Sequence, residues 1–148
     1  MIRAAKQNDA TDVARLCLQL GYNTSKEDCS SRQEMLSRDE NSAVFVADVD
    51  GRVVGWIQLS VRLSIESGEF VEIVGLVVDE GYRGRGVGRA LVSQGEDWAR
   101  ARGQRTFRVR TNVVREDAPL FYRSMGFKET KRQSVFVKTL SADSIRIA

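Results

Sequence analysis

A mixed α/β (α+β) fold, with helices packed over a central, mostly antiparallel twisted sheet, is what this chain of 148 residues predicts. Three observations predict it. Two valine-rich runs meet at Asp50-Gly51, a dipeptide that favours a two-residue hairpin turn. The run "FVEIVGLVVD", residues 70–79, is almost continuously apolar, as in a strand covered on both faces. Several other segments repeat their apolar residues at helical spacing between capping residues.

In chain order, "IRAA" predicts a short strand, followed by Asn8 as an N-cap and a helix from about Asp9 to Leu20, closed by Gly21. Val13, Leu16, Cys17 and Leu20 form its apolar stripe. "SKED" places a serine three residues before an acid, so a second helix is expected from Lys26 to about Arg38. The hairpin of residues 42–65 follows, then the apolar strand. A helix from about Val87 to Arg102 has the stripe Val87, Leu91, Gly95 and Trp98. "RTFRVRTN" is a further strand, Pro119 opens a short helix through Met125, and Gly126 stops it. "FKETKRQSVFVKTL" is expected to form a last hairpin or bent strand pair. No repeat or linker interrupts this order, so residues 1–148 are expected to form a single domain.

Composition removes whole classes of chemistry. The sequence holds no histidine, which excludes imidazole-based triads and histidine-ligated zinc, and no metal is called for. Any acid or base is then a carboxylate, tyrosine, lysine or thiol. Cys17 and Cys29 are the only cysteines. Cys17 falls on a helix stripe, so a buried thiol in a reducing compartment is expected rather than a bridge. "MIRAAKQNDA" has no apolar signal core and no run of about 18 apolar residues occurs, so a cytoplasmic protein without a membrane partner is expected. The net charge of +3 is uneven: residues 1–50 carry −3 and residues 51–148 carry +6. That asymmetry suits one surface for an anion and one for a cation, although solvated charge scatter produces it too.

The stretch "YRGRGVGRALV", Tyr82 to Val92, sets three glycines among arginines where a helix begins. Exposed N–H groups at a helix start and the macrodipole attract an anion, and glycine lets a phosphate approach the backbone. Neither the P-loop spacing nor Gly-x-Gly-x-x-Gly fits these residues. A surface loop with solvated arginines is the bland alternative.

"LVVDEGYRGRGVGRALV" resembles the pyrophosphate-binding segment of the GNAT acyltransferase superfamily, Arg/Gln-x-x-Gly-x-Gly/Ala, here at Arg83, Gly86 and Gly88. "APLFYRSMGF" resembles the superfamily's second motif, a tyrosine helix followed by Gly-Phe, and the order of elements matches from end to end. Gly81 departs from the pattern, where many members have proline. The resemblance implies a GNAT-like sheet with strands splayed at the coenzyme A site and acetyl-CoA as co-substrate. It implies that the binding segment Arg83, Gly84, Arg85, Gly86, Val87, Gly88 and Arg89 holds the pyrophosphate, with amides from Arg85 to Arg89 cradling it. The pantetheine arm would pair like an extra strand with Leu76, Val77 and Val78, and Asn112 would contact its amide or else cap a helix. Gly75 marks either a bulge or a site of close packing.

By the same resemblance, Tyr122 is the general acid toward the leaving thiolate. A phenol of reference pKa about 10 remains protonated at neutral pH. A backbone N–H near Val78 is the oxyanion donor. Two readings stand for Glu72, an acid in an otherwise apolar strand: general base, or contact to a cationic substrate or an arginine. Glu116 and Asp117 are further acceptor-side carboxylates, with helix capping as the alternative.

Within the superfamily, "EIVGLVVD", "WARARG" and "VRTNVVRED" resemble the aminoglycoside N-acetyltransferase branch. That implies an N-acetyltransferase acting on a small cationic amine, with Asp48, Glu66, Glu69 and Glu72 attracting it, and a homodimer as the assembly. A protein or peptide amine is the alternative acceptor. Alternatives of another class are a nucleic-acid-binding module and a non-catalytic CoA-binding regulator. Against nucleic acid, the arginines from Arg83 to Arg110 are not interleaved with exposed aromatics.

Overall fold

In the computed structural model, the described residues are 1–111 and 117–141. They fall into two compact units, Met1–Arg110 and Thr111–Ala148.

The first unit is built on a five-stranded sheet in the order β1-β2-β3-β4-β5. Its strands are β1 (Ile2–Ala4), β2 (Ser42–Val49), β3 (Arg52–Ser64), β4 (Gly68–Val78) and β5 (Phe107–Val109). The first four run antiparallel to their neighbours, and β5 runs parallel to β4. Asp50 and Gly51, with φ of 52° and 86°, form the expected turn between β2 and β3.

Helix α1 (Ala10–Gln19) and helix α2 (Lys26–Ser37) cover one face of the sheet. Ala10, Val13 and Leu16 of α1 and Cys29 of α2 share a core with Val46, Val53, Trp56 and Val77. Ser25 caps α2 by accepting the Asp28 N–H at 3.0 Å, as the serine-to-acid spacing predicted. Asn8 does not cap α1. It lies inside a 3-10 turn, Gln7–Asp9, and Asp9 is drawn instead to the Lys6 N–H and the Arg3 guanidinium. Burial raises the Asp9 pKa, but the hydrogen bonds from Arg3 and Lys6 outweigh it and leave the carboxyl below its usual range. Burial, with Cys17 beside it, pushes the Cys29 thiol up to about 11, so it stays protonated in the core.

Helix α3 (Val87–Ala101) packs on the opposite face. Strand alternation turns Gly55 away from the Trp56 side, and a Cβ there would meet Leu91 and Val87 of α3. The buried positions of α3 are Leu91, Val92, Gly95 and Ala99. The stripe therefore ends on Ala99 rather than Trp98, whose half-exposed indole carries the Arg102 guanidinium 4.3 Å above it. Gly95 belongs there because a Cβ would lie 3.0 Å from Phe107 and 3.1 Å from Leu59.

In the second unit, helix α4 (Asp117–Ser124) ends before Gly126, as predicted. The final hairpin is absent: no described residue from Phe127 to Ser141 lies in a strand. This stretch contains no Gly, Asn, Asp or Pro to turn two arms, and its apolar Val135, Phe136 and Val137 are all exposed, so no buried face rewards pairing.

Candidate active site

Two interruptions shape β4. Opposite Gln58 of β3, the strand carries an extra residue, because Gln58 pairs with Gly75 and Leu59 with Ile73. Val74 and Gly75 thus form a β-bulge. The pairing with β5 stops at Ile73 and Val109, so β4 runs on to Val78 with that edge unpaired by β5.

The bulge decides which groups face this edge, which is open among the described strands beyond Ile73. Upstream of it, the Val71 N–H donates to the Thr106 carbonyl on the β5 side. Beyond it, the Asp79 N–H donates to Val54 of β3 at 2.8 Å. Strand alternation then turns the Val77 backbone toward β3 and the Leu76 and Val78 N–H groups away from it. Without the extra residue, the odd-numbered positions would face that edge. Val77 contributes its buried side chain to the core instead.

After β4, Asp79 anchors the glycine-arginine loop. One carboxylate oxygen accepts the Gly81 N–H at 3.1 Å, and the other accepts Arg15 of α1 at 2.8 Å. Arg15 also donates to the Val53 carbonyl, and Gln19 of α1 accepts the Glu80 N–H at 3.0 Å. Hydrogen bonds from Arg15 and Gly81 hold the Asp79 carboxyl below the usual carboxylate range. These contacts seat a 3-10 turn, Glu80–Tyr82, whose ring lies 5.1 Å beneath the Arg85 guanidinium.

Gly86 then takes φ of 84° as the N-cap of α3. The first intrahelical bond runs from the Ala90 N–H to the Gly86 carbonyl, so the Val87 and Gly88 N–H groups before it have no acceptor within the helix. Arg83, Gly84, Arg85 and Arg89 are exposed around this helix start. Loop and open strand edge are contiguous in sequence, and they offer backbone donors with local positive charge.

Glu72 occupies a different setting. Its side chain is only 9% exposed, and Arg62 of β3 donates to one oxygen at 2.9 Å while Arg110, just past β5, lies 3.4 Å from the other. Ser60, paired with Glu72, stands on the same β3 face as Trp56, so this cluster continues the sheet face that α1 covers. Arg108, in register with Glu72, stacks on Phe70 with its guanidinium 4.0 Å from the ring centre. Of the other acids expected nearby, Asp48 pairs with Arg3 and Glu69 accepts from Gln104. Glu66 is exposed in the turn after β3.

In the second unit, half-buried Tyr122 lies edge-on to Phe121 at 5.2 Å and to Phe127 at 5.4 Å. Asp117 is the exposed first residue of α4. Asn112 and Glu116 lie outside the described residues.

Sequence reasoning missed Arg15 and Asp79 as the loop's anchors and Arg62 and Arg110 as partners of Glu72. The one signal available was the Asp at the end of an apolar strand, directly before the glycine loop.

Comparison with known proteins bears on the same residues. The model of the acetyltransferase (GNAT) family matches residues 8–127. An uncharacterized N-acetyltransferase of Methanocaldococcus jannaschii is 35% identical over 97 residues, 64% of this chain but only 42% of that protein's length. An aminoglycoside N(6')-acetyltransferase type 1 of Stenotrophomonas maltophilia is 31% identical over 91% of this chain and 90% of its own. Among solved structures, the aminoglycoside N-acetyltransferase AAC(6')-Iy in complex with CoA superposes with a TM-score of 0.85 at 23% identity, covering 95% of each chain.

Proposed function

Because this chain belongs to the acetyltransferase (GNAT) family and is an acyltransferase, we propose that it moves the acetyl group of acetyl-CoA to the primary amine of a small molecule. The observation that carries this reading is the continuity of an open β4 edge, at Leu76 and Val78, with a helix start whose first N–H groups lack intrahelical acceptors. That sequence of donors suits an extended amide chain ending in a diphosphate, which is the form of coenzyme A.

In this reading the Val87 and Gly88 N–H groups bind the pyrophosphate, with Arg83 and Arg85 adding positive charge. The backbone of Leu76 and Val78 holds the pantetheine arm. Bound there, acetyl-CoA supplies an activated acyl group. The amine nitrogen forms a bond to the acyl carbon as the carbon–sulfur bond breaks. The Val78 N–H stabilises the charge that gathers on the carbonyl oxygen. Tyr122 gives its phenolic proton to the leaving thiolate, and the amine's proton passes to water. Of the two roles open to Glu72, the guanidinium groups against both its oxygens favour substrate-side positioning over general base. The Stenotrophomonas relative, named for an aminoglycoside, supports a small-molecule acceptor such as an amino sugar over a protein amine.

The test is to incubate the protein with acetyl-CoA and a panel of amines and to follow free thiol. Turnover is expected, and Tyr122→Phe should lower kcat about a hundredfold while the Kd for CoA stays level. A variant as fast as the parent removes Tyr122 from the mechanism. A protein that binds no CoA removes the whole reading.

A further inference from the structure

The cluster around Glu72 is richer in positive than in negative charge. Three guanidinium groups, those of Arg62, Arg108 and Arg110, stand on one sheet face around a single buried carboxylate. Arg108 is occupied by the Phe70 ring. Arg62 and Arg110 both approach Glu72 through Nε. An arginine has five N–H donors; Arg62 spends one of them on Glu72, and Arg110 stands only at ion-pair distance, 3.4 Å. Among the described residues, their terminal Nη groups make no hydrogen bond, and the two side chains are 50% and 63% exposed.

Glu72 therefore resembles a clamp for two arginines more than a lone negative site for a polycation. A cationic acceptor brought here would meet two guanidinium groups before it met the carboxylate. The location is also specific: Glu72 is one residue before the last β4–β5 pair and four residues before Leu76, where the open edge begins. A thioester carried along that edge from the α3 end points its acyl group toward this cluster.

Building on the acetyl-transfer reading above, we propose that Arg62 and Arg110 form an anion subsite beside the acyl group, and that the preferred acceptor is a primary amine that also bears a phosphonate, phosphate or carboxylate. The two Nη edges bind the acceptor's oxygens, the pairing that planar guanidinium groups make most strongly. Glu72 acts as a positioning residue that fixes both forks. The anion then sets the amine at a defined distance from the acyl carbon.

The experiment compares three amines of the same two-carbon reach with acetyl-CoA: 2-aminoethylphosphonate, β-alanine and ethanolamine, with spermidine and kanamycin as cationic arms. One or both of the anion-bearing amines should exceed ethanolamine in kcat/KM by about tenfold or more. Which of the two leads separates a phosphonate or phosphate site from a carboxylate site. Arg62→Gln and, separately, Arg110→Gln should bring that preference close to unity, mainly through KM, and calorimetric CoA binding confirms that each variant is folded. The proposal is overturned if ethanolamine, spermidine or kanamycin equals or exceeds both anion-bearing amines, if no amine in the panel is acetylated, or if both variants keep the preference. Where CoA still binds in those outcomes, the cofactor site stands and only the acceptor assignment falls. A protein that binds no CoA brings down the transferase reading itself.

Discussion

A Cβ on Gly75 would lie 2.9 Å from two carbons of the Trp56 ring, so the bare α-carbon of one strand and the indole of the next are in direct contact. This contact sits on the bulge that turns Leu76 and Val78 toward the open edge of β4. The same residue thus serves packing in the α1 core and the arrangement of donors in the candidate CoA site.

Gly75→Ala should consequently act on stability and binding together. A methyl group at that distance forces the indole or the bulge to shift, a cost of about 1–3 kcal/mol. A lowered Tm and a weaker Kd for CoA are expected. A variant with a normal Tm and normal CoA affinity would show that the bulge tolerates the methyl group and does not set the edge.

Gly86→Ala tests the helix start. The N-cap holds φ of 84°, where an L side chain costs about 1–2 kcal/mol. If strain moves the loop, the Val87 and Gly88 N–H groups lose their aim and CoA affinity should drop about tenfold, the equivalent of 1.4 kcal/mol. Unchanged affinity for CoA, measured by calorimetry, would move the diphosphate elsewhere.

Asp79 gives a pH dependence of defined sign. Its folded pKa is depressed, chiefly by the Arg15 hydrogen bond and next by the Gly81 N–H. The contribution to stability is therefore complete above the unfolded value of about 3.9 and is lost as pH falls below it toward the folded value. Thermal melts of the parent should drop more steeply than those of Asp79→Asn between about pH 5 and 3. At pH 7 the variant should already be less stable by about 1–2 kcal/mol, since Arg15 loses a charged acceptor. Parallel melting curves across that range would remove Asp79 as the loop's anchor.

Glu72→Gln separates positioning from proton transfer. If Glu72 only holds Arg62 and Arg110, the profile of kcat/KM against pH keeps its shape in the variant and falls in height by about tenfold. Loss of a limb from that profile would make Glu72 the base. Adding Arg62→Gln to this variant should cost less than it costs the parent, because the two residues share one interaction.

Much of the architecture was legible because it depends on neighbours in sequence. The Ser25 cap acts over three residues, the Asp50-Gly51 turn over two, and the alternation and stripes describe the faces of single elements. Where the local rules were ambiguous, longer contacts chose: Asp9 was drawn from a helix-start position to Arg3. The stretch expected to form a last hairpin has no Gly, Asn, Asp or Pro for its turn. Arg62, in an alternating strand, and Arg110, past the end of another, carry no local mark that joins them to Glu72.

The sequence by itself determined the order of helices and strands as far as α4 and the glycine-opened helix start after an apolar strand, since backbone conformation there follows from residues a few positions apart. Only the tertiary structure decided that one extra residue at Val74–Gly75 puts Leu76 and Val78 on the open edge, that Asp79 is held by Arg15 from 64 positions away, and that Glu72 lies between two arginines. Each of these depends on strand register and on helix placement. A shift of one residue in register exchanges the two faces of a strand, and no property of the isolated segment records which face meets which partner.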